Sequence, residues 1–396
     1  MGNCIVNPNM DLYNFIKIIS PIDVIMERFY ILMNENDRFL KDQLITYLGN
    51  KRKLLSFIEK AVSDIKRDTQ KEKFSIFDGF SGSGIVGRFL KQYSDVLHVN
   101  DLELYSEVIN RCYLSNREDV DINELKENIT KLNKCDRKSG FITSLYSPKE
   151  EDEIKSGERA FYTPDNAMAI DSIRQHINKI PEEKRHFYLA PLLSEASIHA
   201  NTSGVFKGFY KNNNGVGQFG GEAKNCLNRI KGSIKLPMPV FSNFSCEHYV
   251  HRSDVNTLVK EMDTMDITYY DPPYNQHPYG SNYFMLNVIC QYKEPNDISK
   301  VSGIPKGWNK SGYNSKKTII ECFSDLIDNT KSKYIIISYN SEGFIKESTM
   351  MSLLRKFGKV KTYRQAYPTF RGSRNLRKRS KTVNEFLFVL EKKHTL

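Results

Sequence analysis

Phe74-Ser75-Ile76-Phe77-Asp78-Gly79-Phe80-Ser81-Gly82-Ser83-Gly84-Ile85-Val86-Gly87 is the stretch whose reading decides the fold. Phe74–Phe77 is a short apolar run that breaks into a glycine-rich turn, which predicts a buried strand followed by a tight loop. A helical stretch runs on to about Tyr93. Val96–Val99 reads as a second strand and ends in Asn100-Asp101. Strand, glycine loop, helix, strand and acid, in that order, predict a nucleotide-binding half of a doubly wound α/β sheet.

The ligand of that half is open at this point. Gly82, Gly84 and Gly87 satisfy the dinucleotide fingerprint, with Asp101 near the spacing expected for an acid on a ribose hydroxyl. An NAD or FAD oxidoreductase is therefore a competing reading, and glycines kept only for turn geometry are another. Asp78, directly before the loop, suits a cofactor that carries an ammonium group and no pyrophosphate. That favours S-adenosylmethionine.

Upstream, residues 11–45 have apolar positions at helical spacing through Phe15, Ile18, Ile19, Ile25, Phe29 and Leu32. Thr46-Tyr47-Leu48-Gly49-Asn50-Lys51-Arg52-Lys53 then forms a glycine turn opening a helix, Leu54–Val62. A basic helix start is commonly a solvated surface; it is also a ready site for a carboxylate or phosphate, backed here by Lys51.

Downstream, the texture changes between about 125 and 245. Charge is dense from Asp119 to Glu158, and helical stretches begin at Phe161–Asn166 and at Arg185–His199. A Gly/Asn-rich run, Gly208–Gly221, continues basic to Lys235 against the single acid Glu222. Phe209, Tyr210 and Phe219 lie in it, and aromatics in such a run are as often core as contact. Tyr249–Arg252 reads as a strand, and Asp254 precedes a helix, Val255–Met262. Asp254 suits an N-cap and equally an acceptor for an amine at a strand end.

Ile267–Tyr270 is the next buried strand, and it breaks into Asp271-Pro272-Pro273-Tyr274. An aromatic amine such as N6 of adenine is a poor nucleophile because its lone pair is delocalised into the ring. A carboxylate and a backbone carbonyl that accept its two N–H bonds draw the nitrogen toward tetrahedral geometry. Asp271 supplies the first and Pro272 the second, with two prolines stiffening the chain. Tyr274 offers a ring for an unstacked base. Taken alone, an Asp-Pro-Pro strand end also makes an ordinary turn.

Tyr334–Ser338 is a further buried strand, and Glu385–Leu390 is expected to close the sheet. Between them, residues 363–381 hold seven Lys or Arg and no acid, with Tyr363, Tyr367 and Phe370 interleaved. Beside an active edge, phosphate contact is the stronger reading of this run.

Composition agrees with a polyanionic partner: 58 Lys and Arg against 47 Asp and Glu give a formal charge of +11 over 396 residues. Seven scattered cysteines with no Cys-x-x-Cys pair argue against a zinc site and for a reducing, cytoplasmic setting. No apolar run approaches membrane-spanning length, and no signal peptide is visible.

Taken together, these pieces resemble the adenine-N6 DNA methyltransferases of the Dam type, the alpha group. In these enzymes cofactor motifs come first and a target-recognition segment is inserted before the catalytic tetrapeptide. The order carries the resemblance: Tyr-x-Gly-x-Lys, Asp-x-Phe-x-Gly-x-Gly, an acid after the next strand, an insertion, then Asp-Pro-Pro-Tyr. It covers about 44–125 and 245–390. It implies an N-terminal helical segment (1–43), a first catalytic part (44–125), an inserted, mainly helical target-recognition domain (126–245) and a second catalytic part with a basic hairpin (246–396).

The resemblance implies a Rossmann-like methyltransferase sheet with S-adenosylmethionine bordered by Tyr47, Gly49, Lys51, Asp78, Phe80, Gly82 and Gly84. Asp101 takes ribose hydroxyls, Asp254 the cofactor adenine, and Asp271, Pro272, Pro273 and Tyr274 the flipped target base. It also implies no catalytic metal and a double-stranded DNA partner. DNA contacts are expected from Lys207, Lys211, Lys224 and Arg229 in the insertion and from Arg371, Arg374, Arg377 and Lys378 in the hairpin. Tyr47 stands where Dam has Trp and Asn50 where it has Gly, and the insertion is closer to restriction-associated members, so a cognate endonuclease is an expected partner. An RNA adenine methyltransferase and a non-catalytic DNA-binding module on this fold are the alternatives. A cytosine-C5 methylase is disfavoured, because no cysteine follows a proline.

Overall fold

The computed structural model describes residues 34–368 and 382–393. Seven strands form one sheet in the order β3-β2-β1-β4-β5-β7-β6. They are β1 (Phe74–Asp78), β2 (Ser94–Asp101), β3 (Glu247–Arg252), β4 (Met265–Tyr270), β5 (Ser332–Asn340), β6 (Gly358–Pro368) and β7 (Thr382–Lys392). The first five run parallel, while β7 pairs antiparallel with both β5 and β6. The expected last strand therefore does not close the sheet: β7 is inserted between β5 and β6, which leaves β6 at the edge. As an interior strand β7 pairs on both sides, and this place explains its apolar run Phe386–Leu390.

Alternating side chains build a core on each face. Ile76, Val99, Ile267, Tyr269 and Ile336 point to one side and pack against the helices Leu55–Thr69 and Ile85–Leu90. Phe77, Tyr270, Ile335 and Ile337 point to the other, toward Val255–Glu261, Ile319–Asn329 and Glu347–Leu354. The period of two along each strand is what makes both faces apolar. The result is a doubly wound, Rossmann-like sheet. Its order reverses between β1 and β4, the switch point where such sheets hold ligands.

A third core lies beyond the sheet. The helices Ile122–Asn133, Phe141–Tyr146, Pro164–Ile177 and His186–Ile198 share it with Leu104–Leu114 and Phe284–Gln291. Thr163 caps Pro164–Ile177 by accepting from the Asn166 N–H, with Pro164 at the first helical position. Asp171, fully buried, accepts N–H bonds from Gly140, Ile142 and Thr143 and so ties two of these helices together. Phe219 is buried with Ala160 and Ile230, and Phe209 packs edge-on to Phe161 at 5.1 Å, so both aromatics are core.

Of the helix expected over 11–45, the described part contains only Asp37–Lys41, capped by Asn36. Asp42 is already extended, and the chain then runs out of helix so that Leu44 and Ile45 reach the third core. The residues before 34 and the basic segment 369–381, with Arg371, Arg374, Arg377 and Lys378, lie outside the described residues. Among the described residues no helix is long and apolar enough to cross a membrane.

Candidate active site

A cavity of about 870 Å³, including space open to solvent, lies across the carboxyl ends of β1–β4. Its wall contains Tyr47, Gly49, Lys51, Phe80, Gly82, Asp101, Asp254, Asp271 and Pro273 from the residues the sequence singled out. Four others stand back from it. Asp78 is fully buried beneath the loop, Gly84 starts the following helix, Pro272 is buried, and the half-buried Tyr274 lies beyond the wall.

The loop after β1 is held from several sides. The Ser81 N–H donates to the Asn100 carbonyl at 2.9 Å, and the Gly82 N–H to Asp101 Oδ2 at 2.8 Å. Asp101 Oδ1 accepts from the Glu103 N–H at 2.9 Å, so this carboxylate braces the loop as well as facing the cavity. Gly82 and Gly84 have φ of +53° and +77°, where side chains other than glycine are strained. A Cβ on Gly82 would stand 2.8 Å from the Tyr47 ring, and one on Gly84 2.8 Å from Asn110 Oδ1. Asp78 takes a long bond from the Phe80 N–H at 3.4 Å on one oxygen, while its other oxygen has no partner among the described residues. Burial pushes its pKa up to about 8, with Asp271 and Asp101 acting in the same direction, and the residue supports the loop from below.

Tyr47 packs near parallel to two rings, Tyr279 at 5.0 Å and Tyr283 at 4.8 Å, which lie 5.9 Å from each other. The Tyr283 hydroxyl accepts from the Leu48 N–H, and the Tyr279 hydroxyl donates to the Leu48 carbonyl. The Tyr47 hydroxyl is hydrogen-bonded to that of Tyr105 at 3.2 Å, and the residue lines the cavity. Gly49, at φ +74°, turns the chain so that Lys51 points back to the sheet.

Lys51 Nζ donates to Asp271 Oδ2 at 2.8 Å and to the Gly49 carbonyl at 3.1 Å; its side chain is 5% exposed and that of Asp271 18%. Burial works against the Lys51 charge, but Asp271, Glu385 and Tyr274 outweigh it and hold its pKa above the ordinary lysine value. Burial also wins at Asp271, leaving its carboxyl above the ordinary carboxylate range although Lys51 opposes the shift. The two directions agree: Lys51 has two carboxylates beside it, whereas Asp271 has one cation. Tyr274 packs edge-on against Tyr339 at 6.2 Å, and its carbonyl accepts from the Phe344 N–H.

Asp254 caps Val255–Glu261 through the Thr257 N–H and also lines the cavity. The cap is worth about 1 kcal/mol. Several cavity residues escaped the sequence reading. Glu103, bonded to Asn287 Nδ2 at 2.5 Å, is pushed up to about 7 by burial and by Asp101. An acid two residues past Asp101 was the available signal. Asn309, Ser311, Tyr313 and Asn314 come from a polar loop with no pattern to mark it.

Lys207, Lys211 and Lys224 are exposed, Lys211 over the Phe209 ring. Arg229 has another role than the phosphate contact expected of it. Its guanidinium donates to the carbonyls of Ile198, Ala200 and Thr202, which fixes the chain after the helix His186–Ile198 and engages three of its five N–H groups within the protein.

A glycine-loop crevice at the switch point, rimmed by acids and followed by a carboxylate–proline strand end, defines a methyltransferase of the Rossmann-like class. The chain belongs to the D12 class N6 adenine-specific DNA methyltransferase family, whose model matches residues 47–353. It is 31% identical over 359 residues to the Type II methyltransferase M.NlaIII of Neisseria lactamica, covering 88% of this chain and 99% of that one. It is 31% identical to M.CviAII of Paramecium bursaria Chlorella virus 1, over 87% of this chain and 98% of the relative. M.FokI of Planomicrobium okeanokoites is 28% identical over 87% of this chain, which spans 52% of its length.

Proposed function

We propose that this DNA methyltransferase transfers the methyl group of S-adenosylmethionine to N6 of an adenine flipped out of duplex DNA at a specific site, as the modification enzyme of a restriction–modification system. The observation that carries the reading is the Lys51–Asp271 ion pair at the mouth of a cavity walled by the glycine loop.

The residues present fit the donor. Gly82 lets the loop pack against Tyr47 in the cavity wall, Phe80, Ile85, Val255 and Tyr313 give apolar walls for a nucleoside base, and Asp101, Glu103 and Asp254 offer acceptors for hydroxyl and amine hydrogens. When bound, S-adenosylmethionine supplies a methyl group on a sulfonium, electrophilic enough to need no metal. Asp271 and the Pro272 carbonyl accept the N6 hydrogens, Tyr274 stacks the extruded base, and Lys51 keeps the Asp271 carboxylate oriented. Residues 126–245 serve as the target-recognition segment, with Lys207, Lys211 and Lys224 on phosphates and Arg371, Arg374, Arg377 and Lys378 as further phosphate contacts. A cognate endonuclease for the same site is the expected partner.

Purified protein incubated with labelled S-adenosylmethionine and unmethylated genomic DNA is expected to put label into N6-methyladenine at one repeated motif. Label in RNA instead would favour an RNA methyltransferase. Cofactor binding without transfer to either would favour a binding module.

Two variants test the assignment of parts. Gly82→Ala forces a Cβ against a tyrosine that cannot yield, and is expected to weaken cofactor binding at least about tenfold, roughly 1.4 kcal/mol, by calorimetry. Unchanged affinity would remove the loop from the site. Alanine at Lys207, Lys211 and Lys224 together is expected to weaken binding to all DNA sequences alike. The slope of log K against log salt should flatten by about 0.9 for each phosphate no longer neutralised. A change confined to one sequence would mean that these lysines read bases.

A further inference from the structure

Glu385 is a buried carboxylate that the functional reading leaves unused. It lies on β7 opposite Asn340, the last residue of β5, so it faces the same sheet end that carries Asp271. One oxygen accepts from Asn340 Nδ2 at 2.6 Å. The other is buried with no hydrogen-bond partner among the described residues. Such an oxygen is costly to keep dry, and a hydrophobic residue in a central strand would avoid the cost. Lys51 and Asp271 both act electrostatically on this carboxylate, Lys51 favouring its charge and Asp271 opposing it, and Lys51 in turn feels both carboxylates.

We propose that Glu385 is a positioning residue for methyl transfer: it shares the Lys51 ammonium with Asp271, so that Lys51 orients the catalytic carboxylate without cancelling its charge. This rests on the function proposed above. Attack of N6 on the methyl carbon would break the carbon–sulfur bond and release a neutral thioether, so positive charge would develop on the nitrogen until its proton passes to water. A lone Lys51–Asp271 pair sums to zero and offers that charge little. With Glu385 the group carries a net negative charge in a buried setting, where charge complementarity to a transition state is most effective. Burial and the nearby Asp271 raise the Glu385 carboxyl above its ordinary value, while Lys51 and Asn340 oppose the shift.

The test uses the full chain, with single-turnover methylation of DNA at saturating cofactor, calorimetric cofactor affinity and thermal unfolding measured on the same preparations. Glu385→Gln keeps the shape and removes the charge. It is expected to slow transfer at least about tenfold while cofactor affinity and unfolding temperature stay close to wild type. In a Lys51→Met background the same substitution is expected to cost little more, because its effect runs through Lys51. A Glu385→Gln rate within twofold of wild type would overturn the inference, as would an undiminished loss in the Lys51→Met background. If Glu385→Gln does not fold, Asn340→Ser loosens the same carboxylate from its other side. Slower transfer with intact cofactor binding then supports the role, and an unchanged rate overturns it. Absence of DNA methylation by the wild type would overturn the functional reading and this inference with it; wild-type activity that Glu385→Gln leaves intact overturns the inference alone.

Discussion

Asp271→Ala is expected to lower methyl transfer by about 100- to 1,000-fold or more, while cofactor affinity changes by only a few-fold. The carboxylate sits at the end of β4 where the cavity opens, and it accepts from a lysine rather than from the glycine loop. Removing it takes away the acceptor that draws N6 out of conjugation, but leaves Gly82, Asp101 and Asp254 in the cavity wall. The Lys51 ammonium is not stranded by the change, since Glu385 and the Gly49 carbonyl remain beside it. Asp271→Asn, which keeps the shape, should be nearly as inactive. Equal loss of cofactor binding and transfer in the alanine variant would move Asp271 from the reacting centre to the cofactor site.

The second large effect concerns the partner. Breaking a buried ion pair by removing one member costs up to about 3–5 kcal/mol, and less where the survivor keeps some contact with water, as Asp271 does. In Lys51→Met the force that opposes burial at Asp271 disappears, so its pKa, already above the ordinary range, rises further. The sign follows directly. Transfer needs the ionised carboxylate, so activity is lost as pH falls through the Asp271 pKa, and a higher pKa moves that loss to higher pH. Among the described residues Glu385, Tyr274, Tyr269, Tyr279, Tyr367 and Asp78 interact electrostatically with this pair, and none of them is a cation able to replace Lys51. Single-turnover rates from about pH 5 to 9 should show the acid limb of Lys51→Met displaced upward relative to wild type, with a lower plateau. An acid limb that stays in place would mean that another group controls it. Lys51→Arg is not expected to rescue, because a planar fork does not fit a space shaped for an ammonium bonded to Gly49.

Much of this site was legible in the chain because its parts are local. A strand that breaks into glycines, an acid one strand later and an Asp-Pro-Pro-Tyr strand end each declare themselves within a few residues. What the sheet adds is their meeting at one edge. Lys51 and Asp271 are separated by more than half of the chain, and no spacing rule pairs a basic helix start with a distant strand end. The tyrosine cluster of Tyr47, Tyr279 and Tyr283 is similar: each ring is ordinary alone, and only the folded chain shows that they pack together. Arg229 shows the reverse error. A basic residue in a polar loop reads as a surface cation, and its three carbonyl partners are invisible until the chain is folded.

By itself the sequence determined the two-faced parallel sheet, through period-two apolar strands, and the chemistry, through a carboxylate and two prolines at a strand end. The tertiary structure decided which charges share that end. β7 enters between β5 and β6 and so brings Glu385 beside Asn340 and within reach of Lys51. Local propensity settles what a strand is; its neighbour in the sheet is settled by which apolar faces can be buried together, and that is a property of the whole chain.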